Sequence, residues 1–201
     1  MPRPTQILRH TRKALEDSQL LKVLQSEIKH EQSSPPLQGY YESGYLGDFV
    51  VDYDSSKSQD VVLRRKCESG EEVAVSALVG PKSIAEDGSF RGGVLMKVCV
   101  KKPGLNSMLQ LDCGVTEKLM GGSQFDILSA HYIKSANSHR KSEYRGPLFS
   151  TLDPNLQDAL KEYLVAKGIS ESLTNFLLLH LNQKEQGQYL KWLQKLESLL
   201  K

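Results

Sequence analysis

The stretch Gly93–Lys101, GVLMKVCVK, is the part of the chain that decides its fold class. In an extended backbone, successive side chains point to opposite faces, so strict alternation separates an inward set from an outward set. The inward set is Val94, Met96, Val98 and Val100, and the outward set is Leu95, Lys97, Cys99 and Lys101. The pattern predicts a strand with one face in a core and one mixed face.

Five further runs share this character, because they are short, rich in β-branched and aromatic residues, and bounded by Gly, Ser, Asn or Pro. They are Asp48–Tyr53, Val61–Lys66, Glu72–Val79, Met108–Val115 and Phe125–Ile133. Short runs at this spacing, joined by turn residues, predict an antiparallel meander within residues 45–134.

Before the sheet, residues 6–31 have the periodicity of one long amphipathic helix. Its apolar residues recur at helical spacing and are Leu8, Leu15, Leu20, Leu21, Leu24 and Ile28. The helix must end before Pro35-Pro36, because proline lacks the amide donor and disfavours a helical residue before it.

After the sheet, residues 153–201 are predicted to form two helices. Asp153 can cap the first and Pro154 suits its first position, while Gly168 can end it in a left-handed conformation. The predicted buried stripe of this helix is Leu156, Ala159, Leu160, Tyr163 and Leu164. The second helix carries Leu173, Phe176, Leu177 and Leu181, reaches a predicted weak point at Gly187, and continues with Tyr189, Leu193, Leu196 and Leu200.

Composition suits one globular domain of 201 residues, with 39% hydrophobic and 25% charged residues. The net charge is +2, and basic residues gather before the first acid, Glu16, at Arg3, Arg9, Arg12 and Lys13. Residues 1–15 are therefore either an organelle-targeting segment or the basic start of the first helix. No apolar run approaches the ~20 residues of a membrane-spanning helix, so we expect no membrane insertion.

Candidate chemistry is sparse. The sequence contains no phosphate loop, dinucleotide fingerprint, zinc-protease motif or nucleophile elbow, so we expect no enzyme activity, catalytic residues, cofactor or metal. His131 and His180 are interpreted as packing or surface histidines, and Cys99 and Cys113 as inert buried thiols in a reducing compartment. The acidic pairs Glu71-Glu72 and Glu86-Asp87 are interpreted as solvated charge, and the basic run Arg64-Arg65-Lys66 as a solvated sheet edge.

Three phrases resemble one protein family. They are LLKVLQSEIKHE at 20–31, MLQLDC at 108–113, and the C-terminal stretch 144–201 with YRGPLFSTLDPNLQDALKEYLVAKGI, LTNFLLLHL and YLKWLQKLESLL. Together they resemble the mitochondrial acidic matrix proteins, also called the mitochondrial glycoprotein family, and especially its plant-like members.

This resemblance implies an α+β fold with a strongly twisted antiparallel sheet of about seven strands, one N-terminal helix and two C-terminal helices. It also implies a homotrimer in the mitochondrial matrix, without enzyme activity, that binds mitochondrial proteins and supports oxidative phosphorylation and mitochondrial ribosome assembly or translation. The chain departs from the family in charge, because the loop Gly80–Gly92 holds only Glu86 and Asp87 as acids. No Asn-x-Ser/Thr sequon occurs either.

The sequence is compatible with two functions. The first is a scaffold or chaperone-like protein that assembles through its terminal helices, and the alternative is a regulator of mitochondrial translation that binds RNA or ribosomal components through its basic N-terminus. The residues predicted to pack in the oligomer or between helices are Leu20, Leu21, Leu24, Ile28, Tyr189, Trp192, Leu193, Leu196 and Leu200.

Overall fold

The computed structural model describes residues 4–34, 45–80, 83–84, 90–91, 93–118, 121–135, 144 and 146–201. The chain divides into two compact units, one formed by Met1–Pro36 with Glu185–Lys201 and the other by Leu37–Lys184. The expectation of a single domain over 1–201 stays a prediction.

The larger unit contains a six-stranded antiparallel sheet, counted over the described residues, in the order β1-β2-β3-β6-β7-β8. A separate pair is formed by β4 and β5. The strands are β1 Val50–Asp54, β2 Asp60–Lys66, β3 Glu72–Val79, β4 Ser83–Ile84, β5 Phe90–Arg91, β6 Val94–Lys101, β7 Met108–Glu117 and β8 Ser123–Ile133. The six strands predicted from alternation are therefore confirmed.

Six of the expected strands, about seven in number, form the main sheet over the described residues. In the described residues, Ser83 pairs with Arg91 and Ile84 with Phe90, so these two-residue strands complete each other instead of adding to the main sheet. A pair this short has few backbone groups to offer a neighbouring strand, and the main sheet passes directly from β3 to β6.

The basic run at the end of β2 is not at a sheet edge, which corrects the interpretation from sequence. β2 pairs with β1 on one side and with β3 on the other. Arg64 and Arg65 do point to opposite faces, as alternation predicts: Arg64 pairs with Asp52, and Arg65 pairs with Asp48.

One face of the sheet forms a core with two helices, α2 Pro154–Ala166 and the first part of α3 Glu171–Leu200. The predicted inward residues Val94, Met96, Val98 and Val100 are buried. The helices and the turn between them contribute Leu164, Ile169, Leu173, Leu177, Leu178 and Leu181. α2 begins as predicted, because Asp153 accepts a 2.9 Å hydrogen bond from the Asn155 amide and Pro154 is the first helical residue.

The predicted buried stripe of α2 is only partly correct. Leu164 is fully buried, and Leu160 and Tyr163 pack against the core while partly buried. Leu156, however, is 47% exposed, and Ala159 is exposed as well. These two residues border an open groove, so helical periodicity located the apolar face but not the limit of the core.

α3 continues through Gly187, where a weak point was predicted. A glycine inside a helix costs about 1 kcal/mol relative to alanine, which is small against the packing along the rest of a 30-residue helix. Its residues up to Lys184 belong to the larger unit, and those from Glu185 belong to the smaller one.

The smaller unit contains α1 Pro4–Ser33 and the end of α3. α1 includes the whole helix predicted at 6–31 and ends before Pro35. Within the described residues, no helix is both long and apolar enough to cross a bilayer.

Candidate protein-interaction surface

The two helices of the smaller unit run antiparallel and are joined by polar contacts. Gln25 donates a 3.0 Å hydrogen bond to Glu197, and Tyr189 donates a 3.2 Å hydrogen bond to Glu27. The later residue on α1, Glu27, bonds to the earlier residue on α3, Tyr189. The two helices therefore run in opposite directions. The hydrogen bonds from Lys201 and Gln25 hold the pKa of Glu197 below its usual value.

Two leucines of this unit are buried. Leu24 is 7% exposed and Leu193 is 3% exposed, and they are the buried hydrophobic residues among its described side chains. Among the described side chains, two buried leucines remove little apolar area from water, so the stabilisation that they supply is small.

A second apolar stripe on α3 is mostly exposed, with Leu196 partly buried. Tyr189, Trp192, Leu196 and Leu199 recur at intervals of three and four residues, which places them on one face of the helix. Trp192 is 53% exposed and Leu199 is 80% exposed, and the Tyr189 and Trp192 rings stack with their centroids 5.9 Å apart. We call these four residues the α3 stripe. Tyr and Trp side chains are enriched at protein interfaces.

The structure thus sorts the residues predicted for oligomer or helix packing into three groups. Leu24 and Leu193 are buried within the smaller unit. Leu21, Ile28, Leu196 and Leu200 are partly buried. Leu20, Tyr189 and Trp192 are exposed. Periodicity did not single out Val23, which is 61% exposed beside Leu24. Contact of any of these residues with a second chain stays a prediction.

In the larger unit, an ion-pair cluster fixes the first part of α3 to the β1–β2 hairpin. The Lys184 ammonium donates hydrogen bonds of 2.6 Å to Asp54 and to the backbone carbonyl of Asp60. His180 lies 2.8 Å from the other Asp54 oxygen and stacks on the Phe176 ring. The Lys184 hydrogen bond lowers the pKa of Asp54, and His180 adds to the effect.

A second cluster holds the end of α2 against β2. Gly168, at φ +93°, follows the helix, and the Ile169 amide donates back to the Leu164 carbonyl, 3.1 Å away. Arg65 donates a 3.0 Å hydrogen bond to the Lys167 carbonyl and occupies the space beside Gly168. Lys167 in turn pairs with Glu71, whose side chain is only 13% exposed. The interpretation of Glu71 as solvated charge is therefore wrong; Glu86 and Asp87 lie outside the described residues.

Among the described residues, His131 and the two thiols singled out from the sequence have structural environments without an arranged reactive group. His131 lies 3.4 Å from Asp112, which also accepts a 3.0 Å hydrogen bond from Ser129. Burial raises the pKa of Cys113 to about 12, and it also raises the pKa of Cys99, so both thiols stay protonated at neutral pH. Over the described part of the chain, no group of His, Cys, Asp and Glu is arranged to hold a metal ion.

Comparison with solved structures shows the fold. A Leishmania major protein, described as hypothetical, of unknown function and a sequence homologue of human p32, matches with a TM-score of 0.69 at 17% identity, over 92% of this chain and 99% of that chain. The Trypanosoma brucei p22 protein matches with a TM-score of 0.66 at 18% identity, over 93% of this chain and 100% of that chain. These likenesses confirm the α+β fold class.

The sequence is also similar to known proteins. The mitochondrial acidic protein mam33 of Schizosaccharomyces pombe is 33% identical over 107 residues, which is 51% of this chain and 39% of that protein. The chain thus aligns with well under half of that relative, and its net charge of +2 differs from the acidic character in the relative's name.

The family model described as mitochondrial glycoprotein, MAM33, matches residues 81–200. This segment is more than half of the chain, which therefore belongs to the mitochondrial glycoprotein family and is a mitochondrial protein.

Proposed function

We propose that this protein is a non-catalytic scaffold or chaperone-like binding protein of the mitochondrial matrix, and that it acts as a homo-oligomer, namely a trimer. In this role it supports oxidative phosphorylation and the assembly of mitochondrial ribosomes or translation. The observation that carries the proposal is the exposed α3 stripe on a helix pair that buries only Leu24 and Leu193 among its described hydrophobic side chains.

A second copy of the same chain is the proposed occupant of the α3 stripe. Among the described side chains of the smaller unit, Leu20, Val23, Trp192 and Leu199 are exposed, and a second copy would supply the same apolar residues to cover them. Identical subunits that bury such surfaces form closed symmetric assemblies, which explains how a soluble scaffold could tolerate a residue such as Leu199 at 80% exposure in one chain.

Sedimentation at micromolar concentration tests the assembly. We expect the wild type to sediment as a trimer and the double variant Trp192→Asp, Leu199→Asp to sediment as a monomer, because each charge would be buried without a partner. Lys191→Asp, on an exposed position of the same helix, is the matched control and should leave the trimer intact. A monomeric wild type would contradict the proposed oligomer.

A genetic test addresses the scaffold role. Cells that lack the protein should show slower mitochondrial protein synthesis, measured by pulse labelling, and slower respiration. The wild type and Lys191→Asp should restore both rates, and the stripe double variant should restore neither. Normal rates in the deletion would contradict this role.

The alternative, RNA binding through the basic N-terminus, makes a different prediction about salt. Phosphate contacts give an affinity that falls steeply as ionic strength rises, whereas a mainly apolar protein interface changes little. Partners that stay bound to the purified protein at high salt and resist ribonuclease support the scaffold. Loss of all partners under both treatments would favour the RNA-binding alternative.

A further inference from the structure

An open groove of about 430 Å³ lies in the larger unit between α2 and the β6–β7 end of the sheet. This volume falls in the ~300–1,000 Å³ range of small-molecule sites. Its apolar wall comes from both sides, with Leu156, Ala159 and Leu160 on α2 facing Leu109 and Tyr132 on the sheet. The rim is well exposed, with Leu156 at 47% and Tyr132 at 62%.

A tight turn at residues 102–105 borders the groove and carries its charged residue. The Leu105 amide donates a 3.3 Å hydrogen bond to the Lys102 carbonyl, across Pro103 and Gly104, which has φ +75°. Proline at the second position and a left-handed glycine at the third are the signature of a type II turn. The turn brings Lys102 and Leu105 together at the groove, so a cationic group lies beside an apolar one.

Lys102 gives the groove its charge. It is the one ionisable lysine, arginine or carboxylate side chain among the described residues that line the groove. The nearby Glu71 carboxylate is held by Lys167, and within the described ranges Lys102 forms no ion pair, although its charge helps to lower the pKa of Glu71 from a distance. A positive charge at one end of an apolar groove complements a ligand with one anionic head and one apolar chain.

We infer that this groove binds a free monocarboxylate with a single short acyl chain, with the carboxylate at Lys102 and the chain along Leu105, Leu156 and Leu160. The volume of about 430 Å³ lies in the lower part of the ~300–1,000 Å³ range of small-molecule sites, which suits one short chain better than a two-tailed lipid. The hydroxyls of Ser107 and Tyr163 also line the groove and offer hydrogen bonds to the head.

Decanoate is the ligand used to test for binding. The controls are 1-decanol and decylammonium, which have the same chain length but carry no charge and a positive charge, respectively. Titrations followed by calorimetry and by the methyl resonances of Leu105, Leu156 and Leu160 should show saturable binding of decanoate. Decanol should bind more weakly and decylammonium weakest of all. Vesicles that contain anionic phospholipid should not bind.

Three variants locate the site. Lys102→Glu should weaken decanoate binding about tenfold, because it removes an attraction and adds a repulsion. Lys97→Glu, on the opposite face of the sheet, should change the affinity less than about twofold. Ala159→Trp should abolish binding by filling the groove from an exposed helix position, with the circular dichroism spectrum unchanged.

Equal affinity for decanoate and decanol, unchanged by Lys102→Glu, would overturn the inference because no anion would be recognised. Binding that shifts other methyl groups and survives Ala159→Trp would also overturn it. The same holds if no ligand binds and Ala159→Trp alters sedimentation, since the groove would then be a contact between copies. These readouts are independent of the α3 stripe variants, which leave the groove untouched.

Discussion

Lys184 of α3 donates a 2.6 Å hydrogen bond to Asp54 at the end of β1, while only 8% of its own side chain is exposed. A nearly buried ammonium is favourable only when it has anionic and hydrogen-bonding partners. Asp54 and the Asp60 carbonyl supply them, one at each end of the β1–β2 hairpin turn. This lysine therefore holds the hairpin on α3, and its removal should be costly.

We expect Lys184→Met to lower the free energy of unfolding by about 1–3 kcal/mol, because Asp54 and the Asp60 carbonyl would lose a charged donor while the apolar stem is kept. Urea unfolding followed by circular dichroism measures the change. Lys191→Met, exposed on the same helix, is the control and should stay within about 0.5 kcal/mol of the wild type. Equal effects of the two substitutions would show that the Lys184 ion pair contributes nothing.

The same pair should make stability depend on pH. Because Lys184 and His180 depress the folded-state pKa of Asp54 below its usual 3.8, the stabilisation is present above that value and is lost as pH falls through the lower folded-state pKa. The difference in free energy of unfolding between wild type and Asp54→Asn should therefore shrink below about pH 4. A difference that stays constant from neutral to strongly acidic pH would contradict this assignment.

Two glycines should respond to alanine in opposite directions. Gly187 lies inside α3 with no atom near the position of an added Cβ, so Gly187→Ala should stabilise the protein by about 0.5–1 kcal/mol. Gly168 has φ +93°, and a Cβ there would collide with the Arg65 guanidinium, so Gly168→Ala should destabilise it by at least about 1 kcal/mol. Thermal unfolding of the two variants compares them directly. A shift of both melting temperatures in the same direction would contradict the prediction.

Two leucines of α3 should separate internal packing from assembly. Leu193→Ala should cost about 2–5 kcal/mol of stability, because this side chain is 3% exposed. Leu199→Ala should leave the unfolding of the isolated chain almost unchanged, since Leu199 is 80% exposed, but should weaken the oligomer. Dilution series by light scattering, combined with urea unfolding, distinguish the two effects. Loss of stability without any loss of assembly in Leu199→Ala would assign it to internal packing.

The basic N-terminal residues should direct import. A reporter that follows residues 1–31 is expected to enter mitochondria, because this segment combines basic residues with an amphipathic helix. Charge reversal at Arg9, Arg12 and Lys13 should reduce import, as measured by protease protection in isolated mitochondria. A reporter that stays outside in both forms would leave residues 1–15 as the start of α1 alone.

The sequence by itself determined the elements. The alternation in 93–101 predicted β6 and its buried face, and Asp153-Pro154 and Gly168 predicted both ends of α2. These features depend on the backbone and on near neighbours, since strands alternate every two residues and helix ends need local hydrogen-bond partners. The resemblance in 144–201 likewise led to the family that the comparisons show.

Only the tertiary structure decided which apolar and charged groups meet partners within the chain. Tyr189 and Leu193 share one helical pattern, yet Leu193 is buried and Tyr189 is 38% exposed, because α1 covers only one side of the end of α3. Leu156 and Leu164 likewise belong to one predicted stripe, but Leu156 lines the open groove, whereas Leu164 is fully buried. The Lys184–Asp54 and Lys167–Glu71 pairs join residues 130 and 96 positions apart. Burial and pairing between residues so far apart in the chain depend on how whole helices and strands pack together. The periodicity of a single segment carries no information about that packing.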